Sequence, residues 1–316
     1  MTASRRTVLV GTLAGTLTGG LAVLAGCSRE GAPAPAHPPP TAPSTTPPAA
    51  PPTAPPTAPP ALAALEERSG RRIGLLAVDT GNGRAVRHRA DERVLMCSTA
   101  KVLVVAAVLA RGRDEPGLLE RTVRYTRADL LEYAPTTRRH VEDGMTVSAL
   151  CEAAIVVSDN TAANLLVGLL GGPPAVTAYV RTLGDPITRL DRPEPALNET
   201  APGDERDTST PAAMAADLRA LVLGDALDPA GRDLLTGWMV GAVTGAEQIR
   251  AGLPRSVRVG DKTGAGAQGE NHDVAVAWPP DRAPWVIAVF TTPTDPASTN
   301  GRETIAEATR IAVGAL

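Results

Sequence analysis

Aromatic residues are scarce: one Phe, three Tyr and three Trp in 316 residues. A chain this poor in flat rings has no platform for stacking nucleobases, and a formal net charge of −3 gives it no basic face for a phosphate backbone. Nucleic acid is excluded as a partner. Histidine is equally sparse. His37, His88, His140 and His272 lie scattered with no metal-ligand spacing, so the sequence implies no zinc site and no other metal or organic cofactor. Of three cysteines, only Cys97 and Cys151 fall beyond the N-terminal segment, so one disulfide is the most they could form there. No internal repeat is visible.

Proline, by contrast, is abundant, and it crowds the stretch Gly31 to Pro60 together with Ala and Thr. That composition buries no core and favours polyproline II, which at ~3.1 Å per residue reaches at most ~90 Å over about 30 residues. Before it, Arg5-Arg6 precedes a mildly apolar run, Val8 to Ala25, whose glycines and threonines make it a weak membrane span. The pattern resembles a twin-arginine export signal. The run closes on Leu24-Ala25-Gly26-Cys27, which is similar to a bacterial lipoprotein box, whose cysteine is acylated after cleavage. Three segments are expected: 1–27, an export signal with lipobox; 28–60, a disordered Pro/Ala-rich linker; and 61–316, the folded domain. A lipid at Cys27 would then hold a monomer at the outer face of the cytoplasmic membrane, with partial release open.

Within 61–316, the patterns predict helix over Ala61–Glu67, strand over Arg72–Val78, a glycine-bearing turn at Asp79–Gly83 and a second strand over Arg84–Arg89. An apolar helix follows Ser98, a second starts after Thr146, and Ser158-Asp159-Asn160 separates it from a third over Thr161–Leu170. Arg189 to Asp207 reads as a long loop, and loops of that length in compact domains are usually functional or disordered. After helices at Pro211–Leu223 and Pro229–Met239 come strands at Ser256–Gly260, Val274–Trp278 and Trp285–Thr291, then a closing helix over Glu303–Leu316. Strands thus sit at both ends and helices fill the middle. The expected fold is α+β: one antiparallel sheet built from both chain ends and flanked by helices, with an inserted all-helical lobe and a cleft between.

Ser98 and Lys101 stand one helical turn apart, where an amine can reach a hydroxyl and helix N–H groups favour developing negative charge. Alone, the pair is equally a capping serine followed by a helical lysine. Further along the chain stand Ser158-Asp159-Asn160 and Lys262-Thr263-Gly264, on an interhelix turn and at a strand end. In this order the three motifs form the signature of class A β-lactamases and penicillin-binding proteins. Glu194-Pro195-Ala196-Leu197-Asn198 in the long loop resembles the segment that carries the deacylating glutamate of class A. The resemblance covers essentially all of 61–316 and implies a β-lactamase/transpeptidase-like fold.

It also implies roles. Ser98 would be the nucleophile, with Lys101 or Glu194 as base, and backbone N–H groups of Ser98 and Ala265 as the oxyanion hole. Ser158 would pass a proton to the leaving nitrogen, and Glu194 with Asn198 would hold and activate the deacylating water. Asn160, Lys262, Thr263, Gly264 and Tyr133 would line the substrate site, while Arg192 and Asp207 would pin the ends of the loop. Two departures stand out. The positions where many class A enzymes carry a carboxylate-binding arginine correspond to Asn271 and Gln248, which leaves the carboxylate to Lys262, Thr263 and Arg302. Cys97 and Cys151 lack the partners that the family sometimes gives them, so two free thiols are expected. A peptidoglycan DD-peptidase and a noncatalytic β-lactam-binding lipoprotein are the alternative functions.

Overall fold

The computed structural model describes residues 59–199, 201 and 203–316. The export signal, Cys27 and nearly all of the 28–60 linker lie outside the described residues. The first helix, α1 (Pro60–Ser69), has proline in its first turn and ends at Gly70, whose φ of 64° is the left-handed cap that glycine adopts without penalty. Strands β1 (Arg71–Asp79) and β2 (Ala85–His88) form the expected hairpin. Next come β3 (Val94–Leu95), a 3₁₀ turn over Cys97–Ala100, and α2 (Lys101–Asp114). Every residue of α2 from Lys101 to Leu109 is buried, which is why its apolar run shows no amphipathic period.

The two-residue strands β4 (Thr122–Val123) and β5 (Met145–Thr146) pair with each other and lead into α3 (Val147–Val156). Thr146 caps α3 by accepting the Ala149 N–H at 3.1 Å. Helices α4 (Asn160–Leu170) and α5 (Pro173–Thr182) complete this part of the lobe. Asp159 caps α4 by accepting the Ala162 N–H at 2.9 Å, so the Asn160 side chain is not needed as the cap. After the long loop, β6 (Thr208–Ser209) pairs with β3, and α6 (Pro211–Val222), α7 (Pro229–Val240) and the short α8 (Ile249–Gly252) follow.

Three strands and a helix close the chain: β7 (Arg258–Ala265), β8 (Asn271–Trp278), β9 (Trp285–Pro293) and α9 (Gly301–Gly314). The main sheet is antiparallel with order β2-β1-β9-β8-β7, so the N-terminal strand sits against the C-terminal one. Alternate residues serve opposite faces. Ile73, Leu75, Ala77, Ile287 and Val289 pack with α1, α8 and α9, whereas Leu76, Val286, Ala288 and Phe290 join α2, α3 and α6 in the larger core. Each such Val, Leu or Ile contributes about 1.5–3 kcal/mol by leaving water.

Two strands run further than their apolar patterns indicate. Lys262-Thr263-Gly264 lies inside β7 rather than at its end, and β8 begins at Asn271 rather than Val274, because Thr263↔Asp273, Gly264↔His272 and Ala265↔Asn271 continue the ladder through polar residues. Cys97 and Cys151 are free and buried, and burial pushes both thiols well above their ordinary range.

Candidate active site

The 3₁₀ turn places Ser98 at the entrance to α2, with no side-chain cap bond in that turn. Its Oγ instead accepts from Lys101 Nζ at 2.7 Å and donates to Glu194 Oε1 at 3.3 Å. Lys101 is 2% exposed, and its ammonium also donates to the Ser158 carbonyl at 3.1 Å, Ser158 Oγ at 3.2 Å and Asn160 Oδ1 at 2.6 Å. Glu194 Oε1 completes its shell as an ion pair at 2.9 Å. Burial lowers the lysine's pKa, and the Glu194 carboxylate beside it pulls the other way.

Ser158 is held at φ 60°, a left-handed conformation that costs a non-glycine residue and recurs at functional sites. What fixes it is Asp159. That carboxylate is fully buried and accepts the backbone N–H groups of Thr136 and Thr137, both at 2.9 Å, besides capping α4. Ser158 Oγ then lies between two amines, since Lys262 Nζ donates to it at 3.0 Å from the opposite wall. Burial, reinforced by the charge of Lys101, brings the Lys262 pKa down to about 7.

Glu194 is 3% exposed, and its second oxygen accepts from Asn198 Nδ2 at 2.7 Å. Asn164 on α4 grips the glutamate's backbone from both sides: the Glu194 N–H donates to Asn164 Oδ1 at 2.9 Å and Asn164 Nδ2 donates to the Glu194 carbonyl at 2.8 Å. The 194–195 peptide is cis. Arg192 Nε pairs with Asp207 Oδ2 at 2.6 Å, and Asp207 Oδ1 accepts the backbone N–H groups of Asp191 and Arg192. The loop is thereby tied at its neck, and neither member of that pair lines the cleft.

The cleft itself has a volume of about 330 Å³. Ser98, Ser158, Asn160 and Asn198 line it on the helical side, and Thr263, Gly264 and Ala265 on the sheet side. A side chain on Gly264 would meet the Met96 carbonyl at 3.0 Å and the Cys97 and Thr99 side chains at 3.2 Å, so glycine is what lets β7 pass against the turn that carries Ser98. Tyr133 stands half-exposed at the mouth. Arg302 also lines the cleft, with its guanidinium paired to Glu247 at 2.8 Å. Two lining residues had no role in the sequence reading beyond position: Thr244, whose hydroxyl is 2.7 Å from that of Thr263, and Gln248, a 4%-exposed amide whose Oε1 has no hydrogen-bond partner. Asn164 was likewise unread.

A serine bonded to a buried amine and a buried carboxylate, at the floor of a cleft between a sheet and a helical lobe, has the make-up of a serine hydrolase site. Comparison with known proteins narrows the class. A model of the Beta-lactamase enzyme family matches residues 59–316. The chain is 55% identical over 254 residues to Beta-lactamase AST-1 of Nocardia asteroides, covering 80% of this chain and 82% of that one. It is 52% identical over 254 residues to Beta-lactamase FAR-1 of Nocardia farcinica, with 80% and 81% covered. Among solved structures, a class A beta-lactamase from Mycobacterium abscessus superposes with a TM-score of 0.80 at 54% identity, over 81% of this chain and 98% of that one. An ancestral (GNCA) class A beta-lactamase gives 0.79 at 55%, over 81% and 99%. The chain belongs to the class A β-lactamases, and it is a serine enzyme that hydrolyses β-lactams.

Proposed function

We propose that Ser98 opens the β-lactam amide as nucleophile and that the Lys101–Glu194 pair takes up its proton as one coupled unit. The observation that carries this reading is the three-way contact: Lys101 Nζ to Ser98 Oγ at 2.7 Å, Ser98 Oγ to Glu194 Oε1 at 3.3 Å, and Lys101 Nζ to Glu194 Oε1 at 2.9 Å. Backbone N–H groups of Ser98 and Ala265 stabilise the oxyanion, which the close passage of Gly264 past the turn supports. Ser158, lying between Lys101 and Lys262, passes a proton to the departing nitrogen. Glu194, steadied by Asn198, draws a proton from the water that releases the acyl group. Asn160 and Tyr133 contact the substrate's side chain.

The substrate carboxylate meets Lys262, the Thr244–Thr263 hydroxyl pair and the amide of Gln248, with Arg302 at the rim. Arg302→Ala therefore raises KM for penicillins by about tenfold, the ~1.4 kcal/mol scale of one charged contact, with kcat little changed. Steady-state kinetics with benzylpenicillin checks this; an unchanged KM removes Arg302 from the site.

Around the catalytic domain at 61–316, we assign 1–27 to export by the twin-arginine route, Cys27 to lipidation, and 28–60 to a tether holding a monomeric enzyme at the outer face of the membrane. One experiment tests the chemistry: purified protein with a chromogenic cephalosporin, followed for hydrolysis and for protein mass. Steady turnover that requires Ser98 supports the reading. A stable adduct without turnover points to a peptidase-like enzyme.

A further inference from the structure

Away from the cleft, α6 buries an acid. Asp217 is 1% exposed and its Oδ2 has no hydrogen-bond partner. The carboxyl beside it belongs to Asp185, 6% exposed, on the connection after α5. Asp185 is already a full acceptor: Oδ1 takes the Ile187 N–H at 2.6 Å and the Thr188 N–H at 3.1 Å, and Oδ2 takes the Thr188 N–H at 3.3 Å. The nearby cation, Arg181, spends its Nη1 on the Asp185 and Thr188 carbonyls at 2.7 Å each rather than on Asp217. Arg181 therefore compensates only through its charge, and the other ionisable neighbours add none. Tyr179 on α5 is largely buried with an unpartnered hydroxyl, and Asp91, which lines the same 230 Å³ hollow, is already paired with Arg87.

Two carboxylates cannot both stay ionised side by side in a buried place, and a carboxylic acid is the one form of Asp217 that can donate to Asp185. We propose that Asp217 is protonated in the folded protein and donates that proton to Asp185, forming a pH-sensitive fastener between α6 and the base of the loop that carries Glu194. The same junction is closed by the Thr188 and Ser209 hydroxyls at 2.7 Å and by the Arg189 N–H on the Thr208 carbonyl at 3.0 Å, so the fastener sits at the neck from which the loop projects.

The linkage has a definite sign. Burial, then the neighbouring Asp185, raises the Asp217 pKa from 3.8 to about 9, with Arg181 opposing. Between those values the folded chain holds a proton that the unfolded chain has released, so this site's contribution to stability is complete in acid, falls as pH rises, and levels above about 9.

Thermal melting of the wild type and Asp217→Asn from pH 5 to pH 10 tests the proposal. The asparagine keeps a donor toward Asp185 and cannot ionise. The wild type is expected to lose melting temperature relative to the variant steadily as pH rises, the gap becoming constant above about pH 9. A gap independent of pH overturns the proposal. If Asp217→Asn does not fold, Asp185→Asn serves: removing the neighbouring charge moves the pH at which the gap levels downward, and no movement overturns the bond. Stabilisation of the wild type by magnesium or calcium chloride at fixed ionic strength, lost in the variant, would assign the pair to a cation and also overturn it.

Discussion

Glu194→Ala is expected to acylate at Ser98 and then stall, with kcat falling about 10³-fold, the middle of the range for loss of a general base. Acylation survives because Lys101 still contacts Ser98 Oγ and, without the Glu194 charge that raises its pKa, shifts toward the neutral amine that can take the serine's proton. Deacylation does not survive, because among the described residues no other carboxylate touches Ser98. Removing one member of a buried ion pair typically costs ~3–5 kcal/mol, yet Lys101 keeps acceptors on Ser98, Ser158 and Asn160, so the variant should fold. Mass spectrometry after mixing with a penicillin should show the protein plus one intact antibiotic mass, persisting for minutes. Normal turnover would transfer the water-activating role to another group.

Ser98→Ala has the larger effect. The nucleophile and its base act as a unit, so losing the serine should lower kcat by about 10⁶-fold and leave only the background from binding and the oxyanion donors. No adduct should form with any β-lactam. Substrate should still bind, since Asn160, Thr263 and Gln248 line the same cleft and are untouched by the loss of the hydroxyl. Equilibrium binding set beside single-turnover mass spectrometry separates this outcome from misfolding. A covalent adduct on Ser98→Ala would mean that a different residue attacks.

The nucleophile turn, the Ser158 turn and the Lys262 strand were legible in the sequence because each packs its chemistry into three or four consecutive residues whose spacing fixes their geometry. The same locality explains what was missed. Asn164 looks like an ordinary polar residue on a helix; only its two bonds across to the Glu194 backbone, 30 positions away, give it a purpose. Thr244 and Gln248 gain theirs by folding against β7. The early ends assigned to β7 and β8 have a different cause. Polar residues such as Lys262 and Asp273 usually mark a strand's exit to solvent, whereas here both are fully buried and remain in the ladder. The antiparallel sheet built from both ends was readable because its remaining strands alternate or run apolar, bounded by glycine and proline.

That sheet also sets an order of events. The pair at its heart, β1 with β9, joins Arg71–Asp79 to Trp285–Pro293, positions more than 200 residues apart. Such contacts close large chain loops, and folds dominated by them form slowly. A nascent chain carries Ser98 and all of α2 long before β9 has been made. Ser98 is thus made early, while β9, which completes the sheet, begins only when about a tenth of the chain is left to make, on the order of tens of seconds later at ~5–20 residues per second.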